Sequence, residues 1–290
     1  MLSVIVPAKN ESKHLNELIS RLDACLPEDS EIVVVNNGSV DNSEETLSKL
    51  SVKKLVVLNL KTSGKTTAIK KGIEVSKGNI IATIDADLQY DPESVLTLYF
   101  RMGNSDFVNG WRDFSEYPFT KRQVSKVYNW IYRQFFRASI HDANCGLKIF
   151  TREVASDLIY REGYHRYFVA VASELGYKIT EVSVPLHKSE KSSYGTGRIF
   201  KGIFDMISVK LSMTILKQPI IFFGTTSIVL IISGILYSLL ERTWLPSIVI
   251  VSGFVAFMFG LLAEMIMNRN DEWRIEKKWE QKFVFVDLEQ

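Results

Sequence analysis

The sequence is poor in cysteine, in net charge and in repeats, and each shortage excludes a class of protein. Its 290 residues include two cysteines, Cys25 and Cys145, which lie far apart without metal-ligand spacing. We therefore expect reduced thiols rather than a disulfide framework. The formal net charge of +2 gives no argument for nucleic-acid binding. The apolar start at residues 1–7 is too short for a signal peptide, because Lys9 and Glu11 follow at once.

The longest apolar segments both lie in the last third of the chain. Residues 219–240 contain no charged side chain, and residues 245–267 contain only Glu264. Each is long enough to cross about 30 Å of hydrocarbon as a helix. The short linker between them predicts a hairpin of two transmembrane helices. Two buried helices of a soluble core are the alternative.

Basic residues lie mainly outside this pair of segments, and the linker holds only Arg242. By the positive-inside rule we expect an integral membrane protein with two spans, whose N-terminal domain and both termini are cytoplasmic. Residues 268–290 then form a cytosolic tail. The flanking basic residues are Arg198, Lys201, Lys210 and Lys217 before the first span and Arg269, Arg274, Lys277, Lys278 and Lys282 after the second.

Residues 198–218 form the boundary between the predicted spans and the rest of the chain. Apolar residues recur there at helical spacing, with basic residues elsewhere, which predicts an amphipathic helix in the membrane interface. A helix packed on the N-terminal domain is the alternative. The apolar positions are Ile199, Ile203, Phe204, Ile207 and Leu211.

Residues 1–197 alternate strand-like and helix-like patterns. This alternation predicts an α/β domain with a mostly parallel sheet flanked by helices. In such sheets ligands bind beyond the carboxyl ends of the strands, where polar turns follow each predicted strand. The predicted strands are 2–6, 31–35, 55–60 and 79–84, and the predicted helices include 11–26 and 66–76.

The strongest local pattern is Asp85-Ala86-Asp87, directly after a predicted strand. Strand residues two apart point to the same side, so the pair can present two carboxylates to one cation. Magnesium and manganese are commonly bound by one or two carboxylates together with substrate phosphates. Such an ion can neutralise a departing nucleoside diphosphate. Alone the pattern is weak, because two acidic residues at a strand end are most often simply solvated.

Several further motifs accompany this pair, and together they resemble family 2 glycosyltransferases in order and spacing. The similarity is to the branch that contains dolichol-phosphate mannose synthases and bacterial polyprenyl-phosphate glycosyltransferases, and it implies a GT-A-like domain. The motifs are Val6-Pro7-Ala8-Lys9-Asn10-Glu11, Val35-Asn36-Asn37-Gly38-Ser39-Val40-Asp41, Gly64-Lys65, Asp85-Ala86-Asp87-Leu88-Gln89, Gly110-Trp111-Arg112, His141-Asp142-Ala143-Asn144-Cys145-Gly146-Leu147-Lys148, His165-Arg166 and Ser192-Ser193-Tyr194-Gly195.

The resemblance also implies roles for individual residues. Residues implied to bind the nucleotide sugar are Pro7, Lys9, Glu11, Val35, Asn37, Asp85, Ala86, Asp87 and Gln89. Implied ligands of Mg²⁺ or Mn²⁺ are Asp85, Asp87 and Gln89, and the implied acceptor-phosphate residues are Arg112, His165, Arg166, Lys191 and Arg198. The catalytic set is Asp87, Arg112 and Arg166. The family usually has acidic residues at Asn36 and Asn37 and often an aromatic at Lys9, so the donor base stays open.

The implied function is inverting transfer of a sugar from GDP-mannose or a UDP-hexose to dolichyl or undecaprenyl phosphate at the cytosolic membrane face. A phosphate acceptor is already anionic and needs no general base. It needs cations that hold two phosphates together. The alternatives are a glycolipid hydroxyl acceptor and a non-catalytic, nucleotide-sugar-binding membrane scaffold. A processive polysaccharide synthase is disfavoured, because the sequence has no Q-x-x-R-W motif. Self-association is left open.

The stretch at residues 112–137 combines basic and apolar residues in a pattern that suits an amphipathic helix at lipid headgroups, with a helix packed inside the domain as the alternative. Its basic residues are Arg112, Lys121, Arg122, Arg133 and Arg137, and its apolar residues are Val124, Val127, Tyr128, Ile131, Tyr132, Phe135 and Phe136. Gly64-Lys65-Thr66 is similar to a phosphate-binding P-loop, but that motif requires glycine at position 59, which is Asn59. We therefore expect no P-loop.

Overall fold

The computed structural model describes residues 1–61, 64–112, 119–136, 140–187, 197–240 and 243–286. Within these ranges, the side chains of residues 119–121, 124, 197–201, 203, 214–217 and 267–286 are left undescribed. The chain divides into two compact units, Met1–Val209 and Lys210–Gln290.

A seven-stranded sheet forms the centre of the first unit, with the strand order β3-β2-β1-β4-β6-β5-β7. The pairs β1/β2, β2/β3, β1/β4 and β5/β7 are parallel, and β6 runs antiparallel to both its neighbours. The prediction of a mostly parallel sheet is thereby confirmed. The strands are β1 (Leu2–Ala8), β2 (Glu31–Asn37), β3 (Leu55–Leu60), β4 (Ile80–Thr83), β5 (Phe107–Arg112), β6 (Lys148–Thr151) and β7 (Ile179–Val184).

Helices flank this sheet. The four buried residues of the first helix are Leu15, Leu18, Ile19 and Leu22, the same positions that gave its helical spacing in the sequence. The helices are α1 (Ser12–Cys25), α2 (Ser43–Ser48), α3 (Lys65–Val75), α4 (Ser94–Phe100), α5 (Phe119–Phe136), α6 (Arg152–Asp157), α7 (Phe168–Glu174) and α8 (Gly197–Lys217), with a 3-10 helix at Tyr164–Tyr167.

Strand β2 is two residues longer than predicted. Asn36 and Asn37, expected in a turn, continue the strand and pair with Asn59 and Leu60 of β3. The Asn36 amide nitrogen donates to Asn59 Oδ1 at 2.9 Å. This side-chain hydrogen bond satisfies a polar group at a position that is 4% exposed. Asparagine is depleted in strands, which explains why the sequence pattern predicts an earlier end.

The antiparallel strand β6 determines which loops meet at the ligand edge of the sheet. Lys148, its first residue, pairs with Thr83, the last residue of β4. The loop at residues 142–147 therefore arrives where the Asp85-Ala86-Asp87 segment begins. Because β5 runs in the same direction as β4, its last residue, Arg112, lies at the same edge.

Helix α5 packs one face on the domain and leaves another exposed. Tyr132 and Phe136 are buried, and the Tyr132 ring stacks on Tyr167 with centroids 5.9 Å apart. Val127 and Trp130 are more than half exposed. The helix is therefore packed on the domain along its buried face, and contact of its exposed face with lipid headgroups stays a prediction.

The first half of α8 also packs on the domain. Met206 and Val209 are buried, and Tyr164 Oη lies 2.9 Å from Ser208 Oγ. Phe204, in contrast, is 70% exposed. The residues that pack on the domain therefore differ from the predicted apolar face, of which Phe204, Ile207 and Leu211 are exposed. The placement of this helix in the membrane interface stays a prediction.

The second unit contains two long helices, α9 (Pro219–Leu240) and α10 (Leu245–Val286). Both are long and apolar enough to cross a membrane, at Pro219–Leu240 and Leu245–Ile266. They pack closely, since a Cβ added at Gly234 would lie 3.0 Å from the Pro246 carbonyl oxygen of the other helix. The apolar part of α10 ends at Ile266, within one residue of the predicted end of the second span, and the helix continues to Val286.

Candidate active site

The centre of the candidate site is the carboxylate pair Asp85 and Asp87, which follows β4. Asp85 Oδ1 accepts a hydrogen bond from the Lys65 ammonium at 2.5 Å. Lys65 is the first residue of α3 and is 35% exposed, while Asp85 is 27% exposed. This partly buried ion pair joins the start of α3 to the end of β4.

The two carboxylates have different electrostatic surroundings. Burial alone would raise the pKa of Asp85, but the charge and hydrogen bond of Lys65 outweigh it, so the pKa is lowered. Burial and the negative charge of Asp85 instead raise the pKa of Asp87. An added cation would therefore stabilise the charged form of Asp87 more than that of Asp85, which Lys65 already stabilises.

The turn after Asp87 orients its carboxylate. The Gln89 backbone N–H donates to Asp87 Oδ1 at 3.3 Å, and the Gln89 side-chain amide donates to Oδ2 at 2.9 Å. Leu88, between them, has a φ of 53°, a conformation that costs a non-glycine residue on the order of 1 kcal/mol. Gln89, implied as a metal ligand, thus directs its amide nitrogen to Asp87 and holds that carboxylate in place.

The residues of this pair fit a hard divalent cation. A Cβ added at Gly146 would lie 2.7 Å from Asp85 Cγ, so the loop at residues 142–147 closes directly on this carboxylate. The described residues contain no group of three or more His, Cys, Asp or Glu side chains that could hold a metal. Two carboxylates completed by phosphate oxygens and water suit Mg²⁺ or Mn²⁺.

A second wall of the site is formed by the loops that follow β1 and β2. The Asn10 N–H donates to Ser39 Oγ at 2.9 Å, and Asn10 Oδ1 accepts from the Val40 N–H at 2.8 Å. Asn10 has a φ of 56°, which asparagine tolerates better than most residues. Asp41 accepts from the Ser12 N–H at 3.1 Å. These bonds join the two loops into one surface.

The residues implied to bind nucleotide occupy different parts of this wall. Pro7 and Glu11 are half-buried and Lys9 is exposed. Asn37 is buried, and its Oδ1 accepts from the Gly64 N–H at 2.9 Å, which joins β2 to the start of α3.

Two other implied nucleotide-binding residues are buried. Val35 is fully buried, so its side chain belongs to the core beneath α3 rather than to an open pocket wall. Ala86 is likewise buried, between the two carboxylates.

Asp41 gives the wall a predictable response to acid. Burial would raise its pKa, but hydrogen bonds from Ser43 and Ser12 lower it from 3.8 to about 2. Because the folded-state pKa is depressed, the stabilisation is complete above pH 3.8 and disappears as the pH falls through 2. We expect Asp41→Asn to lower the unfolding midpoint at pH 7, and this difference from wild type to shrink below pH 4.

Thermal unfolding of both chains between pH 7 and pH 2.5 measures this difference. Asp29→Asn, at a carboxylate that is 73% exposed, is the matched control and should follow the wild type. A difference between Asp41→Asn and wild type that stays constant across this range would contradict the assignment.

The implied acceptor residues are distributed more widely. Arg112 Nε and Nη2 donate to Asp142 at 2.5 and 3.0 Å, which holds the guanidinium rigidly. Arg166 is exposed. Lys191 lies outside the described residues, and Arg198 lies in α8 at a position whose side chain is not described.

His165 is an uncharged member of the implied acceptor set. Its Nδ1 lies 2.9 Å from Thr66 Oγ1. Burial, with the nearby charges of Lys65 and Arg166, lowers its pKa to about 2. The imidazole is therefore neutral at physiological pH.

Three charged residues of the site are absent from the predicted set: Lys65, Asp142 and Lys148. Lys148 is 3% exposed, and its ammonium donates to the Cys145 carbonyl, which fixes the loop that closes on Asp85. Each lies in one of the motifs that resemble family 2 glycosyltransferases, and this position in a motif is the signal by which the sequence could have identified it. Lys65 also lies in Gly64-Lys65-Thr66, where the glycine that a P-loop requires at position 59 is Asn59.

Comparison with known proteins points to one family. Residues 3–168 match the model for glycosyl transferase family 2. The dodecaprenyl-phosphate galacturonate synthase of Rhizobium johnstonii is 28% identical over 238 residues, covering 77% of this chain and 70% of that protein. An undecaprenyl-phosphate 4-deoxy-4-formamido-L-arabinose transferase of Edwardsiella ictaluri is 26% identical over 287 residues, covering 91% and 88%.

A solved structure shares the fold. The glucosyl-3-phosphoglycerate synthase of Mycobacterium tuberculosis, crystallised with Mn²⁺, UDP and glucosyl-3-phosphoglycerate, superimposes with a TM-score of 0.59. It is 18% identical in sequence, and the match covers 73% of this chain and 79% of that one. At this level of identity the comparison establishes a common architecture.

Proposed function

The chain belongs to glycosyl transferase family 2, and from this premise we propose that it transfers a sugar, with inversion, from a nucleoside-diphosphate sugar to a polyprenyl phosphate. The observation that carries the proposal is the Asp85–Asp87 pair at the carboxyl end of β4, with Lys65 placed on it. The acceptor class comes from the relatives, whose names specify dodecaprenyl phosphate and undecaprenyl phosphate. GDP-mannose and UDP-hexoses are the proposed donors.

In this proposal Asp85 and Asp87 hold Mg²⁺ or Mn²⁺, which when bound neutralises the charge that develops on the leaving nucleoside diphosphate. Gln89 keeps the Asp87 carboxylate oriented through two hydrogen bonds. The wall that contains Pro7, Lys9 and Glu11 is assigned to the nucleotide. The buried Asn37 supports this wall through Gly64.

The acceptor phosphate is assigned to the opposite side of the carboxylate pair. Arg112, held by Asp142, lies at the same edge of the sheet as Asp85, and the exposed Arg166 follows the hydrogen-bonded His165. Lys191 and Arg198 stay proposed partners of this phosphate. A polyprenyl monophosphate is anionic at neutral pH, with its second pKa near about 6, so the reaction requires cations near the nucleophile rather than a base.

The membrane arrangement is also a proposal. Helices α9 and α10 carry many exposed apolar side chains, among them Val229, Leu236 and Phe254, and such surfaces suit hydrocarbon. We propose spans at residues 219–240 and 245–267 and a cytosolic catalytic domain at 1–197. Residues 198–218 are placed in the interface, where the phosphate of a polyprenyl lipid lies. Both termini are proposed to be cytoplasmic.

Full-length protein in nanodiscs that contain undecaprenyl phosphate, incubated with Mn²⁺ and a panel of GDP- and UDP-sugars, tests the function. We expect one donor or a small group of related donors to label the lipid, and a chelator to abolish labelling. Parallel nanodiscs that carry a glycolipid acceptor and no polyprenyl phosphate should stay unlabelled. Labelling of the glycolipid alone would refute the proposed acceptor.

A further inference from the structure

Lys65 forms a partly buried ion pair, unlike the other lysines of α3. Its ammonium lies 2.5 Å from Asp85 Oδ1, in a pair that is about two-thirds buried on each side. Lys70 and Lys71, further along α3, pair with Glu74 on an exposed face. Because the Asp85 pair is partly withdrawn from water, its attraction is less screened than that of the exposed pairs.

The loop at residues 142–147 lies close to one side of the Asp85 carboxylate. A Cβ added at Gly146 would lie 2.7 Å from Asp85 Cγ and 3.1 Å from Oδ1, and it would overlap Oδ2 directly. The other oxygen, Oδ1, is the one that Lys65 contacts. A divalent cation that binds Asp85 through Oδ1 would therefore meet the Lys65 ammonium.

Two cations cannot share one carboxylate oxygen at close range without strong repulsion. Lysine carries its charge on a flexible four-carbon stem, so the ammonium can move several ångströms without a change in the backbone. A nucleoside diphosphate bound through the same cation would bring negative oxygens next to Asp85. Lys65, at the start of α3, would be the cationic side chain that could turn to these oxygens.

We propose that Lys65 is an exchange residue, which competes with the divalent cation for Asp85 and transfers its hydrogen bonds to the donor diphosphate when cation and donor bind together. This inference rests on the proposed function and assigns Lys65 a positioning role within it. It makes the cation and the donor mutually dependent: the cation alone must displace Lys65, whereas the cation with its diphosphate gives Lys65 a new partner.

The proposal predicts effects of opposite sign in one variant. Lys65→Met removes the competing charge, so we expect full-length protein to bind Mn²⁺ alone about fivefold more tightly. The same variant loses a charged hydrogen bond to the diphosphate, so Mn²⁺-UDP or Mn²⁺-GDP should bind about tenfold more weakly. Lys65→Arg keeps the charge and should shift both affinities less than Lys65→Met does. Lys70→Met, on the exposed face of α3, is the matched control and should change neither.

Free Mn²⁺ measured by electron paramagnetic resonance in nanodiscs gives the first affinity, and calorimetry with UDP and GDP at saturating Mn²⁺ gives the second. Tighter Mn²⁺ binding together with weaker nucleotide binding in Lys65→Met supports the exchange. The exchange is overturned if the wild-type chain binds both ligands and Lys65→Met binds Mn²⁺ with the same or a lower affinity. That result leaves the proposed function standing. A wild-type chain that binds neither Mn²⁺ nor a nucleotide overturns both.

Discussion

Asp87→Asn is expected to lower kcat/KM for sugar transfer by about 10³-fold, because it removes the charge that holds the cation at the leaving group. The substitution preserves size, and the asparagine oxygen can still accept from the Gln89 N–H. Burial and Asp85 raise the pKa of Asp87, so the folded protein disfavours its charged form. The neutral variant should therefore unfold at the same temperature as wild type or slightly above it.

Transfer assays and thermal unfolding of the same preparations separate these two effects. Asp29→Asn, at an exposed carboxylate far along the chain from the pair, should retain wild-type activity. An Asp87→Asn variant that transfers sugar at the wild-type rate in the presence of a chelator would remove the metal from the mechanism. A variant that is inactive only because it is unfolded would leave Asp87 without a demonstrated role.

Gly146→Ala is expected to reduce activity by about 10²-fold, although it adds a single methyl group. The new Cβ would lie 2.7 Å from Asp85 Cγ, so either the carboxylate or the loop at residues 142–147 must move. A displacement of about 1 Å at a group that positions reactants can cost about this much in rate. The loop is fixed by the Gly146 N–H, which donates to Tyr90 Oη at 3.1 Å, and by Thr83 Oγ1, which donates to the Gly146 carbonyl at 3.1 Å. We therefore expect the Asp85 carboxylate, rather than the loop, to move.

The control for this variant is Gly224→Ala in α9, where an added Cβ meets no heavy atom within 4 Å. It should behave as wild type. The Mn²⁺ requirement of Gly146→Ala should rise together with its loss of rate, because the displaced carboxylate is a proposed ligand. Wild-type activity at wild-type Mn²⁺ concentrations would show that Asp85 does not need its present position.

The carboxylate pair could be located from the sequence because its signal is local. A buried strand runs directly into Asp85-Ala86-Asp87, and the parallel-sheet rule places such a segment at the ligand edge. The helical spacing of Leu15, Leu18, Ile19 and Leu22 was equally local. The family resemblance was confirmed because several such motifs occur in a fixed order, which no single motif could establish.

Contacts between distant segments could not be obtained in this way. Lys65 meets Asp85 because α3 begins near the end of β4, and Gly146 meets Asp85 because β6 inserts antiparallel beside β4. Strand order and direction are properties of the whole sheet, so local spacing does not encode them. The burial of His165 against Thr66 is likewise a tertiary property, so its neutral state could not be predicted from local spacing.

The end of β2 was misjudged for a different reason. Asn36 and Asn37 are typical turn residues, but side-chain pairing with β3 keeps them in the strand. Residue preference favoured an earlier end of the strand, and a specific tertiary contact outweighed it.

The central claim is that the acceptor is the phosphate of a polyprenyl lipid, and the linkage in the lipid product tests it most directly. Full-length protein is incubated with undecaprenyl phosphate, Mn²⁺ and the active donor, and the extracted lipid is fragmented by tandem mass spectrometry. The account predicts one sugar joined to the polyprenyl chain through a single phosphate, as a phosphodiester. Unreacted polyprenyl phosphate, with the sugar found in a glycosidic bond to the hydroxyl of another lipid, would contradict it.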